Sequence, residues 1–346
     1  MDRLFEERHA LLKEHRRLEL GDPKQCPPWK VMHDEYIAMD NKIKDTLLKR
    51  GPSAIPGLIK RMKGPDASLS ENILIALGPE SIAPVIEYAR KDGDITNAGI
   101  VLIGIGKSCV EPLYKELASE QAHMRDLALN VLIELAGLRL ASDKSIRLPP
   151  IDPYLHQTAH YDEIMKALDI EQDPSLKAKL VVLFGASSKP DVPKRLMEMI
   201  ENETSPEVHY QATGSLIAAL RPLYGDQYTE TCEFLLKRLE TEKDEDLRAA
   251  ILDPFVSVSS RFKPPMAVLR KSAADPASKV RIKALKAIFC NYGDDKAVQK
   301  EMISLLKEGD SDTKGAVRLC VYYLNDRDNH PQLEPELDAL VYHNRK

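Results

Sequence analysis

The sequence predicts an all-α protein, a right-handed α-α superhelix of about eight helical pairs with a cap at each end. Three observations predict it. The first is composition: of 346 residues, 43% are hydrophobic, 30% charged and only 5% aromatic, a profile of helices rather than sheets. The second is a phrase that recurs three times. "GPSAIPGLIKRM", "GPESIAPVIEYA" and "GKSCVEPLYKEL" place Ile55 and Leu58, Ile82 and Val85, Val110 and Leu113 at one spacing after Gly51, Gly78 and Gly106, so the apolar residues share one helical face. The third is another phrase, an aliphatic residue, a polar or basic one, then two more before a small or aliphatic one. It begins at Leu69, Ile95, Met124, Leu176, Val208, Leu247, Val280 and Val317, at spacings of 26 to 39 residues apart from one of 52. Two amphipathic helices in a period of that length cannot bury their apolar faces alone, so neighbouring units must stack.

Each segment follows from these patterns. Residues 1–50 lack both phrases and are expected to form an N-terminal helical cap: an amphipathic helix with Leu4, Phe5, Leu11, Leu12 and Leu18, the turn "GDPKQCPPW", and a second helix from about Asp34 to Arg50. Trp29, the only tryptophan, is either a staple holding that turn on the cap or an anchor for a partner. Residues 51–137 carry the short repeats. The glycines follow apolar helix ends such as "LIALG" and "LIGIG", where a left-handed cap lets the chain reverse. Pro56, Pro84 and Pro112 fall early in the next helix, where a missing N–H costs little or introduces a kink. Residues 138–155 form an inserted loop whose bases are Arg139, Lys144 and Arg147; it is either functional or a tolerated insertion. Residues 156–326 carry longer repeats, and 327–346 form a C-terminal cap or tail, the spacing of Leu333, Leu337, Leu340 and Val341 favouring a cap.

"DPASKVRIKALKAI" at 275–288 and "QAHMRDLALNVLIELAG" resemble the HEAT repeat, and the short N-terminal period is similar to the HEAT-like units of phycobilisome lyases, within the armadillo-type α-solenoids. The resemblance covers residues 51–326. It implies the superhelical architecture, while the family itself spans scaffolds, transport receptors, lyases and DNA-repair enzymes. It also implies that the base of each second helix pairs with an acid of a neighbouring unit. Arg125, Arg248, Arg281 and Arg318 match that position; Ser70, Thr96 and His209 depart from it, so a continuous ladder is not expected.

Charge points toward a partner. Between Arg261 and Lys286 stand eight bases, Arg261, Lys263, Arg270, Lys271, Lys279, Arg281, Lys283 and Lys286, against one acid, Asp275, in a chain of net charge -5. Lys279, Lys283 and Lys286 form one helical stripe able to bind phosphate or acidic peptide. Residues 224–246 hold eight acids against three bases, so the alternative is a solvated face neutralised by its neighbour. His156 and His160 are four apart beside Asp162 and Glu163, a weak metal candidate lacking a firm third ligand; no metal and no cofactor is assigned. His9 and His15 read as solvated.

Enzyme motifs are missing. The chain has no phosphate loop, no nucleophile elbow, no Rossmann glycine pattern and no His-Glu dipeptide, which removes the hydroxylase kinship; its repeats hold no tryptophan for a glycosylase pocket. Five scattered cysteines fit a reducing compartment, and the N-terminus is charged from its second residue, so a cytoplasmic protein with no membrane partner is expected. Three functions follow in order: a non-catalytic scaffold or adaptor holding a protein or peptide on its concave surface, a nucleic-acid binder using 261–286 and the basic loop, and last a lyase or metal-dependent enzyme.

Overall fold

The computed structural model describes residues 1–20, 29–138, 160–220, 223–256, 262–325 and 335–342. These are helical throughout, with no strand among the described residues. The basic loop with Arg139, Lys144 and Arg147, the histidine His156, and Arg261 lie outside them, as does the side chain of Trp29. The chain divides into two compact units: Met1–Leu138 with Ala159–Leu183, and a second whose described residues lie within Phe184–Lys346.

In the first unit, α1 (Asp2–Leu20) packs on α2 (Trp29–Arg50), which begins five residues earlier than its pattern predicts. Three helical pairs follow: α3 (Ile55–Ile59) with α4 (Ala67–Leu77), α5 (Ile82–Asp92) with α6 (Ile95–Ile105), and α7 (Val110–Glu116) with α8 (Ala122–Leu135). The second helix of each pair lies against the next, giving a row α2, α4, α6, α8; α9 (Tyr161–Ile170) packs on α7 and leads to α10 (Pro174–Gly185). The second unit repeats the scheme. Its pairs are α11 (Val192–Asn202) with α12 (Pro206–Ala219), α13 (Gly225–Leu239) with α14 (Glu245–Leu252), α15 (Met266–Ala273) with α16 (Ser278–Tyr292), and α17 (Lys296–Glu308) with α18 (Ser311–Asn325). Again the second helices α12, α14, α16 and α18 form the row, and α19 (Pro335–Tyr342) buries Leu337 against α17 and α18.

The glycine-led phrases open differently from the expectation. Each begins with a four-residue 3-10 turn, Gly51–Ala54, Gly78–Ser81 or Gly106–Cys109, and its proline then stands in the first turn of the α-helix, where the absent N–H had no partner to lose. Gly78 and Gly106 adopt φ 73°, ψ -139° and φ 81°, ψ -140°, a mirror-extended conformation open to glycine alone rather than a left-handed cap. The turn also caps the helix before it. Ser81 Oγ donates to the Leu74 carbonyl at 2.9 Å and Cys109 Sγ to that of Leu102 at 3.2 Å.

N-caps set the register of the second helices. Asp94 accepts the N–H of Asn97, Ser205 that of Val208, Asp173 those of Ser175 and Leu176, and Asp244 those of Asp246 and Leu247. Counting from the cap, the third and seventh residues are buried in α4, α8, α10, α12, α14 and α16, from Leu69 and Ile73 to Val280 and Ala284. In α6 and α18 the phrase read from sequence is out of step: Ile95 directly follows its cap, and Val317 lies one turn too far along, so Lys314 and not Arg318 stands at the position of Arg281. Short aliphatic helices fit the phrase at several offsets, and only the cap decides among them.

Candidate functional site

The row of second helices supplies the exposed surface, and its edge is fixed by paired charges. Arg125 grips Glu171 at 2.7 and 3.2 Å while donating to the carbonyls of Ser119 and Glu120. Arg248 grips Asp275 at 2.8 and 3.0 Å and donates to the carbonyls of Glu242 and Lys243. The acids are fixed in turn by the backbone of the turn that opens the next second helix: Glu171 accepts from Gln172 and Asp173, Glu242 from Lys243 and Asp244, Asp275 from Ala277. His209, expected to break the series, joins it through Nε2, 3.1 Å from Glu242. Burial pushes the Glu171 carboxyl up, yet its bonds from Arg125 and the backbone hold it below the ordinary range; Glu242 is likewise lowered against burial by the Asp244 N–H, His209 and Arg238. The Arg248 hydrogen bond lowers Asp275.

Most of the basic stripe is engaged by neighbours. Lys279 Nζ lies 2.5 Å from Asp246 and 2.7 Å from Glu245, and Lys283 is paired with Asp253. Arg270 is paired with Glu301, Arg281 donates to the carbonyls of Asp275 and Pro276, and Lys263 lies 4.1 Å over the Tyr292 ring. The side chains of Lys271 and Lys286 make no hydrogen bond or ion pair among the described residues. The acids of α14 thus engage α16, as the opposite charges of the two segments suggest.

The first unit presents a different surface. Helix α6, "ITNAGIVLIGI", has no charged residue, and Ile100 and Ile103 are 46% and 37% exposed on it. Helix α4 carries one charge, Glu71, a largely buried residue whose carboxyl makes no hydrogen bond among the described residues; burial and then the nearby Asp94 push it above its ordinary value. Close approach of the two helices explains part of the pattern, since a Cβ on Gly104 would run into Ile75. Together Asn72, Ala76, Thr96, Ile100 and Ile103 form an uncharged, largely apolar strip. Sequence reading took α6 for a repeat helix and passed over this strip, although its lack of charge is plain in the string.

Of the histidine pair His156 and His160 only His160 is described. His160 stacks on Tyr114 with ring centroids 3.9 Å apart and has Nε2 3.6 Å from Glu111; burial pushes the Tyr114 hydroxyl up to about 12. No group of three or more His, Cys, Asp or Glu among the described residues is placed to hold a metal. His9 and His15 are not free in solvent, standing 3.0 Å from Asp66 and 3.1 Å from Glu35. Asp66 also receives Arg8, which is buried, bonds Asp40 at 2.7 Å as well, and was not singled out by any sequence pattern. Burial pushes the thiols of Cys109 and Cys232 up to about 11, which leaves them inert at neutral pH.

No protein-family profile matches the chain. No curated protein matches it either. An engineered protein solved by a structural genomics consortium aligns over 96% of this chain and 98% of its own at 12% identity, with a TM-score of 0.44, too low to establish a shared fold. No helix among the described residues is long and apolar enough to cross a membrane.

Proposed function

We propose that this chain is a non-catalytic scaffold or adaptor, its helical pairs forming a HEAT-like right-handed superhelix whose second helices hold a protein or peptide segment. The observation that carries the reading is the exposed uncharged strip on α4 and α6: a protein with 30% charged residues leaves Ile100 and Ile103 open on a helix without a single charge. A partner that buries both isoleucines gains about 25 cal/mol per Å² of apolar surface removed from water. The nucleic-acid alternative on 261–286 is weakened by the carboxylates already held by Lys279 and Lys283, and the metal-dependent alternative has no ligand cluster among the described residues.

A photo-crosslinking residue placed at Ile103 tests the proposal in extract of the source cell. The expected outcome is one discrete protein adduct, lost when Ile100→Asp is added and not formed from a crosslinker at Lys115 on α7. Adducts of equal yield at both positions, or none at 103, would overturn it.

A further inference from the structure

The charge ladder of the second unit runs in one direction. Each rung joins a base on one second helix to a carboxylate in the turn that opens the next, as His209 meets Glu242 and Arg248 meets Asp275. Arg281 continues the sense toward Asp310, a carboxyl lowered first by bonds from Thr313 and further by the Arg281 charge. Lys314 stands at the same position on α18, and there the series stops. Among the described residues the Lys314 side chain makes no hydrogen bond or ion pair, nor does that of Arg318 one turn later on the same helix.

Helix α16 adds Lys286, likewise without a partner. The Lys279–Asp246 and Lys283–Asp253 pairs show that adjacent second helices of this unit lie side by side, and α16 packs on α18 in the same row. Leu319 is 41% exposed, and Gly315, one turn before it, has open space where a side chain would stand. Cations without a partner among the described residues thus accompany an exposed leucine and an accessible stretch of backbone on these two packed helices.

We infer that this face of α16 and α18 docks an acidic protein segment carrying an aliphatic anchor, its carboxylates meeting Lys286, Lys314 and Arg318 and its apolar side chain resting on Leu319 and Gly315. The inference rests on the scaffold reading and names the partner chemistry at one place on the row. Charge complementarity selects the occupant. The His209 and Arg248 rungs of this unit each end on a carboxylate, and the segment supplies the ones that Lys314 lacks among the described residues. A polyphosphate fits less well: toward α14 the cations already hold Glu245, Asp246 and Asp253, so the unpaired charge does not continue along the row, and an exposed leucine contributes nothing to phosphate recognition.

The test is a random peptide display selection on the full chain, counter-selected on the double variant Lys314→Glu/Arg318→Glu, followed by fluorescence anisotropy of the enriched peptide and of a short oligothymidylate over a salt series. Enriched peptides should carry at least two acids around a Leu, Ile, Val or Met. The selected peptide should bind at least about tenfold more weakly to the double variant and to Leu319→Asp, and equally well to Lys300→Glu on α17. All four positions are on the surface, and circular dichroism melts confirm that each variant is folded. No enrichment, enrichment of peptides without acids, or equal binding to the double variant would overturn the site. Oligothymidylate binding tighter than the peptide, with a steep salt slope abolished by the same variant, would overturn it in favour of nucleic acid. The crosslinker at Ile103 reports on the first unit alone, so adducts retained there while this test fails would sink this site and leave the scaffold standing.

Discussion

At the scale of single residues, buried charge distinguishes positions that hold the fold from one that burdens it. Glu171, Glu242 and Asp275 are held below their ordinary values in the folded chain, so the stability they contribute is present above the unfolded carboxyl range and is lost as pH falls through their folded values. Glu71 has the opposite sign. Its folded value is raised by burial and by Asp94, so its contribution is complete below the unfolded value of about 4.5 and is lost as pH rises through the folded one. At pH 7 the buried carboxylate is a cost, and Glu71→Gln is expected to raise the melting temperature by roughly a few degrees there and to change it little at pH 4. Thermal melts of both proteins at the two pH values check this; a lower melting temperature for the variant at pH 7 would show that the charge has a partner. The bases at Arg125 and Arg248 were marked for an acidic neighbour by the repeat resemblance, but which acids they meet, and the burial of Arg8 and Glu71, were not legible in sequence. Arg8 reads as a surface residue of a charged helix and Glu71 as the one exposed charge of an apolar helix, and only the packing of α1 and α4 buries them.

Among elements, the close contact between α4 and α6 depends on one missing side chain. Gly104→Val would drive a Cβ into Ile75 and is expected to cost about 1–3 kcal/mol, read as a lower urea midpoint, whereas Gly315→Ala, inside α18 with open space around it, should stabilise by about 0.5–1 kcal/mol and raise the midpoint. Equal midpoints for the two variants would refute the account. The elements themselves were largely readable from the string: every pair among residues 51–137 follows from a glycine, an early proline and the spacing of Ile55, Leu58, Ile82, Val85, Val110 and Leu113. Register was read correctly in six second helices, from Leu69 in α4 to Val280 in α16. In α6 and α18 small and aliphatic residues satisfied several offsets, and the caps at Asp94 and Asp310 decided between them. Candidate surface residues fared worst, because a lysine on a solvated face reads the same whether or not an aspartate from the preceding helix reaches it, as Asp253 reaches Lys283.

For the whole molecule, stability is distributed. Each compact unit has its own buried residues, Phe5, Leu102 and Leu132 in the first and Phe255, Phe289 and Met302 in the second, and helices pack mainly on neighbours in sequence. Unfolding is therefore expected to depart from two states, with a van't Hoff enthalpy clearly below the calorimetric one in differential scanning calorimetry; equality of the two would argue against it. The direction of the charge ladder has one more consequence, and it concerns ancestry. A rung needs only a base behind it and a carboxylate ahead, so the joint after Glu242 and the joint after Asp275, 33 residues apart, are interchangeable. Excising 243–275 would join α13 to α16 and leave His209 facing the same glutamate, with Arg281 still beside the opening of α18. A gene encoding such a chain can lengthen or shorten by whole clauses without rewriting the text on either side.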